Sequence, residues 1–170
     1  MKRAVPGKEK LEGIEKKLVQ LLREKNMKVS GAESLTGGLV SKLITDVSGA
    51  SSVFECGVCS YSNRIKHEIL GVSTQTLEVF TEYSEECARE MADGVRRLSG
   101  ADIGIATTGI AGPSGGSEEK PVGTVYVGIS TKNDTKAYEF CLKEYGSRTE
   151  IRNITAACAL FLGYEALLKL

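Results

Sequence analysis

The sequence carries no net charge, with 22 lysines and arginines balancing 22 aspartates and glutamates over 170 residues. Without a basic excess there is no electrostatic case for binding nucleic acid or an anionic membrane surface, although a local cluster of Arg and Lys could still hold one phosphate. Long apolar runs are also missing, and none approaches the roughly 20 residues needed to span a bilayer. The opening Met1-Lys-Arg-Ala-Val-Pro-Gly7 leads straight into charged residues, not into the apolar core of a signal peptide. A cytoplasmic location is the expectation. Histidine occurs once, at His67, so neither a Ser-His-Asp triad nor a histidine-rich metal site is expected. The five cysteines (56, 59, 87, 141 and 158) are an odd number with no secretion signal, which favours free thiols over a disulfide framework. The only CxxC, Cys56-Gly-Val-Cys59, lies in a run that reads as a strand, where residues three apart point to opposite faces. Buried small hydrophobes are therefore expected of these thiols, and metal or redox ligands are not.

What is present has the length of one domain with a sizeable core, over residues 1–170, with residues 1–8 as a flexible extension. Leu11, Ile14, Leu18, Leu21 and Leu22 among charges predict an amphipathic helix over 8–25. Residues 27–34 read as a strand. After Gly37-Gly38, helical spacing resumes at Leu39, Val40, Leu43, Ile44 and Val47. A second strand is predicted over 53–61, then a short helix from an Asn63 cap to Leu70, stopped by Gly71. Ala88, Met91, Ala92, Val95 and Leu98 share one face of a helix over 84–99. A third strand, 102–107, ends in Thr108-Gly109. After a long loop, 110–122, two alternating runs (Val125, Val127, Ile129 and Tyr138, Phe140, Leu142) are joined by Lys132-Asn133-Asp134, which predicts an antiparallel hairpin. The earlier strands are separated by helices and so should be parallel. Ser147-Arg-Thr-Glu150 is a capping box opening the last helix. The sum is an α/β fold: a three-layer α/β/α sandwich with a mixed, mostly parallel sheet of about five strands, one of them antiparallel.

Three segments are too polar and glycine-rich for their positions. Ala32-Glu-Ser-Leu-Thr-Gly-Gly38 joins a strand end to a helix start, where free N–H groups and the helix dipole favour an anion or a developing oxyanion. It has the geometry of a nucleophile elbow without the G-x-S-x-G signature. The same residues could simply cap a helix through Ser34 or Thr36. In Tyr61-Ser-Asn-Arg-Ile-Lys66, the lysine falls in a first helical turn beside Arg64. Both features disfavour its charge and suit it as a base towards a serine; an ordinary solvated lysine is the other reading. The long loop from Thr107 to Gly123 is neither a Walker loop nor a dinucleotide fingerprint. It reads as a backbone lining for a small polar ligand or as a flexible connection. Arg148 opens the last helix, where a cation is unfavourable unless a phosphate lies nearby, with Arg152 one turn on.

Together, Ala32-Glu-Ser-Leu-Thr-Gly-Gly38, Tyr61-Ser-Asn63 with Lys66, and Gly109-Ile-Ala-Gly-Pro-Ser-Gly-Gly-Ser-Glu-Glu-Lys-Pro-Val-Gly-Thr124 resemble the C-terminal domain of the CinA family, the nicotinamide-nucleotide amidohydrolases, in a stand-alone form. The likeness runs from about Glu9 to the end of the chain. It implies hydrolysis of nicotinamide mononucleotide to nicotinic acid mononucleotide and ammonia, within pyridine-nucleotide recycling. By resemblance, Ser34 is the nucleophile, Lys66 the base and Tyr61 a proton relay. Thr36, Thr108 and Arg148 fall on substrate-contacting positions, with Gly37, Gly38, Gly109 and Gly112 lining the site. Gly37-Gly38 N–H groups are expected to stabilise the oxyanion. No cofactor or metal is implied, and the expected partners are the small-molecule substrate and further copies of the chain, not nucleic acid or membrane. Two departures stand out: Ser60 replaces an expected threonine, and Tyr145-Gly-Ser-Arg148 replaces a Gly-Asp-Arg-like run. A nucleotide-binding regulator without turnover, or a competence-associated interaction module, remains the alternative.

Overall fold

The computed structural model describes residues 1–170. Its centre is a five-stranded sheet in the order β2-β1-β3-β4-β5, formed by β1 (Val29–Glu33), β2 (Phe54–Cys59), β3 (Ile103–Gly109), β4 (Thr124–Ser130) and β5 (Thr135–Cys141). β1 pairs in parallel with β2 and β3, while β4 runs antiparallel to both β3 and β5. One strand is thus reversed, as the alternation of helices and the single hairpin require. The hairpin turn closes through the Thr131 N–H donating to the Asp134 carbonyl at 2.8 Å.

One face of the sheet carries α2 (Ile14–Glu24), α3 (Leu39–Thr45) and the long α7 (Arg148–Leu167), with the four-residue α1 (Lys8–Leu11) against α7. The other carries α6 (Glu85–Ser99), with α4 (Asn63–Leu70) and the short α5 (Thr74–Val79) packed on it. Alternation along β3 separates the two: Ile103 and Ile105 enter the larger aliphatic core, Ala106 the smaller one. Where α6 crosses the sheet, the strands present small residues, among them Ala32, Gly104, Ala106 and Gly128. A Cβ placed on Gly104 or Gly128 would lie 2.1 Å from the Ala92 carbonyl oxygen or 2.0 Å from that of Ala88. Helix backbone therefore lies almost on the sheet.

Several expectations change. The helix read over 8–25 breaks at Glu12-Gly13, where Gly13 adopts φ 66°. Residues 1–8 are not a loose extension: Glu139 of β5 donates its N–H to the Met1 carbonyl and accepts from the Arg3 N–H, both at 2.9 Å, so the first residues run along the sheet edge. Ser62, not Asn63, caps α4. Leu98 is 54% exposed, because Ser99 takes the inward position at the end of α6 and accepts a hydrogen bond from Ser30 at 2.8 Å. α5 has no apolar periodicity to announce it; Ser73 caps it, and Glu90 of α6 accepts from the Ser73 N–H and the Thr76 hydroxyl, both at 2.6 Å. All five cysteines are free, but only Cys87 and Cys158 are buried, and Cys59 and Cys141 reach solvent. No helix is long and apolar enough to cross a membrane.

The close α6 contact sets a test. Gly128→Ala adds one methyl where backbone already stands, so it should destabilise by about 1–3 kcal/mol. Urea unfolding should show a lowered midpoint at unchanged slope; an unaltered midpoint would mean that α6 is free to move away.

Candidate functional site

The site is assembled at the carboxyl ends of the parallel strands, the usual place for ligands in open α/β sheets. β1 ends at Glu33, and the Ser34 N–H remains tied to the Thr107 carbonyl at 2.9 Å. The chain then turns through Leu35-Thr36-Gly37-Gly38 into α3, and Gly37 and Gly38 supply the two positive φ values, 57° and 100°. What holds this turn is the Glu33 carboxylate, 1% exposed. One oxygen accepts from the N–H groups of Gly38 (2.9 Å) and Val40 (3.0 Å) and from the Thr36 hydroxyl (2.7 Å). The other accepts from the Ser41 N–H (2.8 Å) and hydroxyl (2.7 Å). An internal anion thus occupies the helix N-terminus that the sequence offered to a ligand.

That arrangement occupies the N–H groups expected to serve as oxyanion donors. The Gly38 N–H is bound to Glu33 and the Gly37 N–H donates to the Ser34 carbonyl at 3.2 Å, so neither faces a substrate. The Leu35 N–H has no acceptor within the protein, and Leu35 stands in the pocket wall directly after Ser34. Arg152, read as a second phosphate cation, instead donates to the carbonyls of Leu35 (2.9 Å) and Thr36 (2.8 Å), which fixes the orientation of these peptides.

Lys66 reaches the serine from α4. Its Nζ lies 3.1 Å from Ser34 Oγ and donates to the Ser60 carbonyl at 2.9 Å. The side chain is 1% exposed, which excludes the reading of a solvated lysine. Burial pushes its pKa below the ordinary lysine value, opposed by the Glu82 carboxylate. The Cys87 thiol is itself pushed up to about 12 by burial and is neutral. His67 faces away, with Nδ1 2.8 Å from the Val72 carbonyl.

A cavity of about 120 Å³ opens above this pair. Ser34, Lys66, Tyr61, Gly109, Gly112 and Arg148 all line it. Arg148 donates to the Gly112 carbonyl (2.7 Å) and to the Tyr61 hydroxyl (2.9 Å), joining the rim across three elements. Tyr61 is 64% exposed. Thr36, Gly37, Gly38 and Thr108 do not line the cavity. Thr36 is buried between Glu33 and Thr107, and the Thr108 hydroxyl donates to the Glu82 carbonyl at 2.6 Å. Glu82 and Tyr83 do line it and were not foreseen. They follow Thr81, a β-branched residue held at φ 67°, a backbone feature with no mark in the sequence. A larger depression of about 240 Å³ beside the β4–β5 hairpin has no serine or cysteine in its lining, and its Asp134 and Lys136 pair with each other.

These features define a three-layer α/β/α domain with a buried serine–lysine pair at the carboxyl end of its parallel strands. Residues 11–167 match the CinA C-terminal domain family, and the chain belongs to that family. A CinA-like protein of Kosmotoga olearia is 47% identical over 164 residues, covering 96% of this chain and 39% of the relative. A Thermoanaerobacter sp. (strain X514) protein named for competence-damage induction is 50% identical over 149 residues, covering 88% and 36%. The chain therefore spans less than two-fifths of the length of these curated relatives. Among solved structures, the competence/damage inducible protein CihA of Agrobacterium tumefaciens superposes with a TM-score of 0.88 at 37% identity, covering 98% of this chain and 99% of that one. A CinA superfamily protein of Escherichia coli gives 0.87 at 27% identity, covering 97% and 94%.

The Glu33 cap leads to a stability test. Glu33→Ala leaves three helix N–H groups without an acceptor, and each such loss costs about 1–3 kcal/mol. A drop of at least about 2 kcal/mol in urea unfolding is expected. Wild-type stability in this variant would show that other groups satisfy the turn.

Proposed function

We propose that this domain hydrolyses the carboxamide of nicotinamide mononucleotide to nicotinic acid mononucleotide and ammonia. The observation that carries the reading is the 3.1 Å approach of Lys66 Nζ to Ser34 Oγ at a lysine kept from water. A neutral Lys66 donates one N–H to the Ser60 carbonyl and offers its lone pair to the Ser34 hydroxyl proton. Ser34 Oγ then attacks the carboxamide carbon as Lys66 takes that proton. The Leu35 N–H, on a peptide whose carbonyl, that of Ser34, accepts from the Gly37 N–H at 3.2 Å, stabilises the oxyanion. As the intermediate collapses, the C–N bond breaks and a proton passes to the departing nitrogen, giving ammonia and an ester on Ser34. Tyr61, at the rim, relays that proton. Water, deprotonated by Lys66, attacks the ester; the acid leaves and Ser34 recovers its proton.

The pocket charges suit this substrate. With Lys66 neutral, its wall carries one anion, Glu82, and one cation, Arg148. The nucleotide offers the complementary pair: a positively charged pyridinium ring and a phosphate. A pocket that only bound a nucleotide would gain nothing from burying a lysine against a serine, which favours turnover over the regulator or interaction-module readings.

Ser34→Ala should lower ammonia release on the order of 10³-fold or more, while stability changes by about 1 kcal/mol. Near-normal release would remove Ser34 from the chemistry. Lys66→Met should be equally inactive yet fold at least as stably as wild type. Between the lowered folded pKa and the ordinary unfolded one, the unfolded chain binds a proton that the folded chain does not. Stability is therefore lost as pH falls through that window, and methionine removes the deficit. Wild-type activity should rise with pH through an apparent pKa below the ~10.4 of free lysine. A rate independent of pH up to that value would rule out Lys66 as the base.

A further inference from the structure

Two loops form facing walls of the pocket: Phe80–Tyr83, carrying Glu82 and Tyr83, and the segment from Ile110 to Gly115. The first is strained at Thr81, and a β-branched residue at positive φ costs of order 1–3 kcal/mol unless its surroundings impose it. Every carbonyl of this turn is engaged. Thr108 donates to that of Glu82 at 2.6 Å, and Ser84 Oγ to that of Thr81 at 2.9 Å. The remaining two, Phe80 (3.1 Å) and Tyr83 (2.7 Å), accept from one ammonium, Lys120 Nζ, which also donates to Thr81 Oγ1 at 3.3 Å. Lys120 lies beyond Gly115 in the same long connection to β4 and makes no ion pair, although Glu118 and Glu119 precede it. Its three protons meet three neutral oxygens of a single turn, unlike the usual exposed lysine beside a carboxylate.

We propose that Lys120 is a positioning residue: by gripping the Phe80–Tyr83 turn it ties the two pocket loops together and holds Glu82 towards the Ser34–Lys66 pair. The electrostatic consequence follows from what surrounds Lys66. Glu82 and Tyr83 face it from the turn, Cys87 from α6, and Tyr61 and Arg148 from across the cavity, with Arg64 and His67 on its own helix. Glu82 is the one carboxylate in the pocket wall, and its charge favours protonated Lys66. A turn released from Lys120 carries that charge away.

The test reads Lys66 itself by NMR titration of the full chain with 13Cε-labelled lysine, its resonance assigned through Lys66→Met. Glu82→Gln should lower the Lys66 pKa by about one unit, as removal of a nearby opposite charge does. Lys120→Met, or the milder Lys120→Gln should the first not fold, should shift it in the same direction. Lys120→Arg, which can still donate to the carbonyls, should return it towards wild type. Loss of the Lys120 charge by itself would push Lys66 the other way, upward, so the sign separates positioning from simple charge removal. An unchanged or raised Lys66 pKa in Lys120→Met and Lys120→Gln, beside a lowered one in Glu82→Gln, would overturn the proposal. The inference rests on Lys66 as the proposed base, but the titration does not depend on turnover. Absence of nucleotide hydrolysis would defeat the functional reading and leave this result standing.

Discussion

The Glu33 carboxylate is the group on which the site depends. A carboxylate removed from water is tolerable only when its lone pairs are satisfied, and here five donors from one turn and one helix start do so. That requirement fixes where α3 begins relative to β1. It also leaves Ser34 between a strand still held by Thr107 and a turn that cannot relax. Arg152 completes the restraint from α7 by holding the next two carbonyls. Ser34 is held because its neighbours are tied, while the N–H groups of Leu35 and Thr36 that follow it have no acceptor within the protein.

A second constraint runs in the opposite direction. The Glu33 carboxylate is met by five donors, whereas Lys66, with only two oxygens in hydrogen-bond reach, is disfavoured as a charge by its burial. Two buried ionisable groups near one serine thus differ in role through their immediate partners alone. Cys87 illustrates the same point from the apolar side, since burial keeps its thiol protonated and leaves Lys66 no thiolate to pair with.

The mixed sheet with one reversed strand was legible because alternation, crossover length and one short turn constrain a sheet strongly. The serine–lysine pair was legible as two polar segments in places where polarity needs a reason, and the family resemblance joined them. Glu33 was hidden because glutamate at a strand end looks like a solvent-facing residue, and only the three-dimensional turn brings the α3 N–H groups to it. Glu82 was hidden for a different reason: its position depends on a left-handed threonine and on Lys120, 38 positions further along the chain. Such a contact leaves no periodicity. Arg152 looked like a ligand-binding cation because a helix start makes any arginine look misplaced until its backbone acceptors are seen.

The unequal cores on the two faces of the sheet have a bearing on how this domain can change over time. On the α2–α3–α7 side, interlocking aliphatic side chains can exchange volume with one another, so sequences can drift there by compensated swaps. On the α6 side, backbone lies against backbone at Gly104 and Gly128, and no neighbouring side chain can shrink to make room. Divergence should therefore be lopsided: one face records ancestry in a changing mixture of leucine, isoleucine and valine, while the other stays nearly silent. The helix behind the silent face adjoins the wall that holds Glu82, so the part of the molecule least able to vary also backs the pocket.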